Sequence, residues 1–319
     1  MDSGAYQPVA VLGAGTMGHS IALAAALAGR PVRLWGISPA DLAQARRRIL
    51  EKLRTLSVEG ALPAGKEGSV LNRIKFGESL SAGVDGAVLI VEAIPEDLAH
   101  KQAFFCDVES QCGRDAVIAS NSSGLSPTAI FERIASPDRA LVAHFWNPAH
   151  LMPLVEVVPG RCTHPNAIRR VIDTVGQMGK RAIVVHKEVP GYIGNRLQYA
   201  LFREAQYLLE QGVASAADID LAAELTLGRR LGVTGPFRTA DMGGLDVFEA
   251  ISAYLFPTLS AGREPGGELR ALVSQGAVGE KAGRGFYPWP DEEMRRMDGA
   301  RERDLIRRWV QDRDASTDE

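Results

Sequence analysis

Short runs of apolar, often β-branched residues recur through the first part of the chain, separated by longer stretches rich in small and polar residues. Val9 to Leu12, Val32 to Trp35, Ala87 to Val91, Val117 to Ser120, Leu141 to His144, Leu154 to Val158 and Ala182 to Val185 read as strands. Within them apolar residues follow one another without strict alternation, the mark of strands covered by helices on both faces. The alternation of strands and helices predicts an α/β fold with a doubly wound, parallel sheet. Between Ala40 and Ile74 the pattern is long and charged (QARRRILEKLRTL), and predicts helices projecting from the sheet at about 40–75.

The pattern changes at Val189-Pro190-Gly191, beyond which no strand-like run occurs. Ile193, Leu197, Leu201, Ala205 and Leu208 recur at helical spacing, and Gly212 is placed to end that helix. Ser215 to Asp218 reads as an N-cap opening the next helix. The expected division is therefore residues 1–187 as an α/β domain and 188–319 as an all-helical C-terminal domain. A charged helix from Asp291 ends in a polar tail, DASTDE, expected to fray.

Composition narrows the class. The 319 residues, 45% hydrophobic and 24% charged, suffice for two domains with cores that need no disulfide or metal. The net charge of −3 and the absence of a basic stripe argue against nucleic acid or anionic lipid as partners. Cys106, Cys112 and Cys162 form no pair with zinc-ligand spacing, so no metal is expected. Unpatterned thiols, a start (MDSGAYQP) without a leader pattern and the lack of any membrane-length apolar run point to the cytoplasm.

The first strand runs into GAGTMG, Gly13 to Gly18, and then into a helix of small residues. Strand, GxGxxG and helix in this order form the Rossmann-type dinucleotide fingerprint. Gly13 permits the turn, Gly15 lets the backbone approach a pyrophosphate, and Gly18 allows the helix to pack on the strand. The amides at Thr16 and Met17 open a helix N-terminus suited to an anion. An acidic residue is expected at the end of the second strand to take the ribose hydroxyls, but Gly36 stands there, followed by Ile37 and Ser38. Ser38 could donate to a 2′-phosphate, although no arginine follows directly. NADP, NAD with one contact missing, and an engineered change at Gly36 all remain open.

Polar residues fall at the carboxyl ends of the strands, where open α/β sheets bind ligands. Asn121 and Ser123 lie in SNSSGL after one strand, a loop whose composition is otherwise ordinary. His144 ends another strand within HFWNP. Glu156, twelve residues on, shares a strand face with Leu154 and Val158. A carboxylate buried among apolar neighbours needs a partner, and an imidazole supplies one. The pair would orient His144 as a general acid/base. Asn195 follows the Pro-Gly break in PGYIGNRL, where a helix cap and a cleft-facing amide fit equally well.

Taken together, GAGTMG, VEAIPED followed by Lys101, SNSSGL, HFWNP, LVEVV, VPGYIGNRL, GPFRTADMGGLDVF and KAGRGFY resemble, in order and spacing, the L-3-hydroxyacyl-CoA dehydrogenase family. The resemblance implies that His144 is the acid/base, Glu156 its orienting partner, and Ser123 and Asn195 the residues holding the substrate oxygen. It implies nicotinamide-cofactor contacts from the Gly13–Gly18 turn, Ala93, Glu96, Lys101 and Asn121, and a homodimer formed through the helical domain. The implied substrate is a 3-hydroxyacyl-CoA thioester or a related small hydroxy or keto acid.

Three departures from the family pattern bear on this. Gly36 replaces an aspartate, Trp146 replaces the second phenylalanine of HFFNP, and the basic residues Arg46, Arg47, Arg48, Lys52 and Arg54 match no coenzyme A site residue by residue. The alternatives are a dehydrogenase of a free gulonate-, carnitine- or pyridine-acid-like substrate, and a non-catalytic, crystallin-like protein that binds NAD. The other short hydroxyacid dehydrogenase family fits less well, because no lysine stands in the helix after Gly194.

Overall fold

The computed structural model describes residues 7–315. Met1–Tyr6, most of the segment read as lacking a leader, and Ser316–Glu319 of the tail expected to fray lie outside the described residues. Two compact units are present, one made of the chain up to Gly194 with the segment from Gly299 onward, the other of Asn195–Asp298. The sequence-based division at 188 differs in two respects: the first unit runs on to Gly194, and the segment from Gly299 returns to it.

The first unit runs β1 (Val9–Leu12), α1 (Thr16–Leu27), β2 (Val32–Trp35), α2 (Pro39–Val58), α3 (Glu67–Leu71), β3 (Ile74–Gly77) and α4 (Leu80–Val84). It continues through β4 (Leu89–Glu92), α5 (Leu98–Gln111), β5 (Val117–Ser120), α6 (Pro127–Ile130), β6 (Ala140–Phe145), β7 (Leu154–Pro159), α7 (Pro165–Gly176) and β8 (Arg181–Val184). The sheet order is β3-β2-β1-β4-β5-β6-β7-β8. All neighbours are parallel except β6 and β7. The first six strands in that order are those of a Rossmann sheet, with the switch point between β1 and β4.

Burial follows the sheet geometry. Successive residues of a strand point to opposite faces, and β1 divides accordingly: Val9 and Val11 join one core cluster, Ala10 and Leu12 the other. Helices cover both faces, as continuous apolar runs require. In α2 the buried residues Leu42, Ala45, Ile49, Leu53 and Leu56 recur every three or four positions, so one stripe of the helix belongs to the core. Ser38 caps its start, accepting from the Asp41 amide at 3.2 Å.

Two elements depart from the sequence reading. β3, which the sequence reading did not expect, begins where the projecting helices were expected to end; its four residues, IKFG, hold a single buried position, Ile74, at the edge of the sheet. So short and half-exposed a strand carries almost no periodic signal. β7 runs antiparallel to β6. Only residues 146–153 separate them, too few for the crossover that a parallel pair needs.

The second unit is helical, with α8 (Gly194–Glu210) entering it at Asn195, then α9 (Ala216–Leu225), α10 (Leu227–Leu231), α11 (Pro236–Gly243), α12 (Leu245–Leu255) and α13 (Gly267–Ser274). Gly212, with φ +65°, follows α8, and Ser215 caps α9 through the Asp218 amide at 3.2 Å, as the sequence predicts. The last helix, α14 (Asp291–Ala315), belongs to the first unit from Gly299 on. There Ile306 is 2% exposed and joins the cluster that holds Ile49, Leu53 and Leu56. No helix among the described residues is long and apolar enough to cross a membrane.

A buried cation ties β8 to the loop before β7. Lys180 Nζ donates to the carbonyls of Met152, at 2.9 Å, and His150, at 3.4 Å. Burial pushes Lys180 down to about 8, with the Asp312 charge acting the other way. Between about 8 and the ordinary value of 10.5 the unfolded chain holds more protons, so stability rises with pH across that window. The difference corresponds to about 3 kcal/mol, at about 1.4 kcal/mol per pH unit. We predict that urea midpoints of the wild type rise over that range relative to Lys180→Met. Parallel curves for the two proteins would show that Lys180 titrates normally.

Candidate active site

The carboxyl ends of β1, β2, β4, β5 and β6 share one edge of the sheet, and the loops that leave them carry the polar residues singled out above. After β1, Gly13 has φ +117°, and a side chain there would lie 2.6 Å from the Ala93 carbonyl. A Cβ on Gly18 would collide with the Gly13 carbonyl. Each glycine is thus required by close backbone packing. Gly15 differs, because a Cβ there meets nothing within 4 Å. That open space, at the exposed N-terminus of α1 formed by Gly15 and Thr16 with half-buried Met17, suits a pyrophosphate approaching helix amides. The residues present therefore fit a dinucleotide.

His19, one turn into α1, braces this loop. Its Nδ1 lies 2.8 Å from the Gly15 carbonyl, and burial together with the charges of Arg48 and Lys52 holds its pKa below the ordinary histidine value despite that bond. At the end of β2, Gly36 is buried, and a Cβ would approach Leu42 Cδ2 to 2.8 Å and Ala14 Cβ to 3.2 Å. A side chain at position 36 would require Leu42 to shift, and the glycine leaves Leu42 and Ala14 packed against the end of β2. Ser38 donates to Asp41 Oδ2 at 2.8 Å, which commits its proton and sets a carboxylate beside the end of β2. Sequence reasoning overlooked Asp41, although Ser38 and an acid three residues later is a helix-start signature.

A second buried carboxylate organises the loop after β4. Glu92 is fully buried; its Oε1 accepts from the Ile94 amide and Lys101 Nζ, both at 2.6 Å, and its Oε2 accepts from Ser120 Oγ at 2.6 Å. Lys101, 1% exposed, also lies 3.3 Å from Glu96 Oε2. Glu96 Oε1 accepts from the Ser123 amide at 3.1 Å and from Ser122 Oγ. Lys101 thus acts from beneath the loop, holding Glu96. Glu92 and Ser120 were missed because a strand-end acid and serine in an apolar run give no spacing signal.

Asn121 joins β5 to β6, its Oδ1 accepting from the Phe145 amide at 2.8 Å. Ser123 is exposed on the same loop. His144 and Glu156 stand directly opposite in the β6–β7 register. His144 Nδ1 lies 2.8 Å from Glu156 Oε2. Glu156 Oε1 accepts from the amides of Ile193, at 2.9 Å, and Gly194, at 3.0 Å. Burial opposes ionisation of Glu156, but the bonds from His144, Gly194 and Ile193 outweigh it and hold the carboxyl below the usual range. An ionised carboxylate only accepts, so Nδ1 carries the proton and Nε2 is the nitrogen left for chemistry.

The His144 ring, 5% exposed, is set between aromatic neighbours, with Trp146 at 5.1 Å and Tyr192 at 5.7 Å between centroids. Tyr192 has a positive φ of 52° and donates from its hydroxyl to the Leu125 carbonyl at 2.8 Å. No sequence signal marked it. The Trp146 indole lies where a Cβ on Gly194 would be, so the departure from phenylalanine is matched by a glycine. Trp146 Nε1 is buried with no hydrogen-bond partner among the described residues. Asn195 is the second residue of α8 and the first of the helical unit. His150, given no role by the sequence, is neutral; burial and the charges of Lys52, Lys180 and His19 lower it to about 3.

Residues 8–189 match the family model for 3-hydroxyacyl-CoA dehydrogenase, NAD binding domain, and residues 191–289 match that for the C-terminal domain. The chain is 31% identical over 299 residues to 5-formyl-3-hydroxy-2-methylpyridine 4-carboxylate 5-dehydrogenase of Mesorhizobium japonicum, covering 93% of this chain and 96% of that one. A crystal structure of an enzyme of that activity, described as an NAD+ dependent dismutase, superposes with TM-score 0.88 at 30% identity, covering 96% of this chain and 98% of the other. The structure of (S)-3-hydroxybutyryl-CoA dehydrogenase from Ralstonia eutropha superposes with TM-score 0.74 at 32% identity, over 89% of this chain and 99% of the other. The resemblance read from the motifs thus extends over both units, and the chain belongs to the 3-hydroxyacyl-CoA dehydrogenase family of NAD-dependent oxidoreductases acting on CH–OH groups.

Proposed function

We propose that His144 is the acid/base of this dehydrogenase, taking the hydroxyl proton of a small hydroxy acid on Nε2 during oxidation and returning it during reduction. The observation that carries the reading is the bond of Nδ1 to Glu156, whose other oxygen is held by two backbone amides. A ring fixed in one tautomer presents Nε2 as a base without reorganising, and the carboxylate stabilises the imidazolium that forms. Ser123 and Asn195 serve as donors to the substrate oxygen, where positioned donors contribute typically ~3 kcal/mol to lowering the barrier. When bound, NAD supplies the hydride acceptor. Gly15, Thr16 and Met17 receive its pyrophosphate, while Ala93, Glu96 and Asn121 line its nicotinamide side, with Lys101 holding Glu96 from below.

The cofactor preferred is NAD. Ser38 donates its hydrogen bond to Asp41, and the Asp41 carboxylate repels a 2′-phosphate, standing in electrostatically for the aspartate absent at position 36. The chain works as a homodimer through its helical unit. Within residues 195–298 only Ala277 is classed as buried, while Phe237 and Met242 are 87% and 79% exposed. Apolar surface of that extent is covered in working proteins, and a second copy is the cover proposed.

Three outcomes test these readings. His144→Ala is expected to lower kcat about 100-fold or more while NADH binding, read by fluorescence, is retained; near-full turnover would remove His144 from the chemistry. NADP should give a kcat/KM at least about 10-fold below that of NAD, and Asp41→Asn should narrow the gap. Equal use of both cofactors by the wild type would refute the role given to Asp41. Light scattering at micromolar concentration should return twice the chain mass, and a monomer would exclude the dimer.

A further inference from the structure

Two of the three donors that satisfy Glu156 lie against one indole. Trp146 follows His144 by two residues, its ring centroid 5.1 Å from the imidazole and the two planes 57° apart. The benzene edge of the same indole rests on Gly194. A Cβ there would lie 2.9 Å from Cη2 and 3.1 Å from Cε2, and nearer still to Cζ2. The His144 ring and the Gly194 amide both hold Glu156, at 2.8 Å and 3.0 Å. All four residues belong to the first unit.

Backbone conformation does not explain the glycine. The φ of Gly194 lies outside the left-handed region, and the residue opens α8, where alanine is the better helix former. The three atoms nearest to its missing Cβ all belong to Trp146. Hydrogen bonding does not explain the tryptophan either. Its Nε1 is buried without a partner among the described residues, and a stranded donor is destabilising. Phenylalanine, the residue of the family pattern, would avoid that cost. What the indole adds is its second ring, and that ring covers Gly194. Tyr192, the other aromatic neighbour of His144, is anchored elsewhere, on the Leu125 carbonyl.

Glu156 is fully buried and His144 is 5% exposed. Water admitted to this place would compete for the bonds that Glu156 accepts and weaken its hold on the imidazole.

We propose that Trp146 is a positioning residue for the acid/base: fitted to Gly194, its indole clamps two donors of Glu156 and keeps water from them. This rests on the role proposed above for His144 and adds the residue that keeps its partner dry.

The test is hydrogen exchange followed by NMR on the full-length chain. In the wild type the Nδ1 proton of His144 is expected as a resolved low-field line, exchanging slowly, as does the Gly194 amide. In Trp146→Phe both are expected to exchange about 10-fold or more faster through local opening, while the amides of Val9–Leu12 in β1 keep their wild-type rates. Adding Gly194→Ala to that variant refills the vacated space and is expected to restore slow exchange. Gly194→Ala alone, which drives the indole out, is expected to abolish it.

Wild-type rates at both protons in Trp146→Phe would overturn the proposal, as would a double variant no slower than Trp146→Phe. Faster exchange throughout β1 would also overturn it, showing a ring that serves overall stability alone, and so would a wild-type Nδ1 proton too labile to be seen. If Gly194→Ala alone fails to fold, the phenylalanine and double variants still decide. Failure of the dehydrogenase reading shows separately, as turnover that survives His144→Ala.

Discussion

A carboxylate with no access to water must be given donors, and Glu156 receives three: the His144 imidazole and the amides of Ile193 and Gly194. Removing a donor from such a group costs several kcal/mol, because the charge remains buried. The three donors come from β6 and from the chain that opens α8, so satisfying Glu156 fixes the position of both relative to β7. The left-handed conformation of Tyr192 and the contact of Trp146 with Gly194 follow from that placement, since the chain must turn sharply to bring two successive amides onto one oxygen.

The same device recurs on the cofactor side. Glu92, equally buried, is satisfied by Ile94, Lys101 and Ser120, and through Lys101 it sets Glu96 over the loop that carries Ser123. Two buried acids thus anchor the loops that flank the sheet's open edge. The surface chemistry of the site is left to groups that need not be rebuilt when ligands arrive. Beyond residue 289, where the match to the C-terminal family model ends, α14 returns to the first unit and pairs Glu302 with Lys52 of α2.

How much of this could be read in advance depended on whether the cause was local. The GAGTMG turn was legible because its constraints act between neighbouring residues and the adjacent helix. His144 and Glu156 were legible because a lone acid in an apolar strand demands a partner, and the following loop is short enough to set the two strands side by side. β3 was not, since an edge strand with one buried residue leaves no period to detect. Nor were the Leu42 contact at Gly36, the Tyr192 bond to Leu125, or the return of α14 to α2, which join residues remote in sequence through shape and packing. The Glu92 network was hidden for a related reason: Lys101 lies nine residues away on a helix whose apolar pattern is weak.

Glu156 fixes the orientation of the His144 ring through its bond to Nδ1. Nitrogen-15 NMR of the histidine side chains, in the wild type and in Glu156→Gln, reads that orientation directly. The neutral His144 ring is predicted to carry its proton on Nδ1 in the wild type, leaving Nε2 unprotonated, and to lose that preference in the variant. A wild-type ring protonated on Nε2, or a tautomer unchanged by the substitution, would contradict the role assigned to the buried carboxylate.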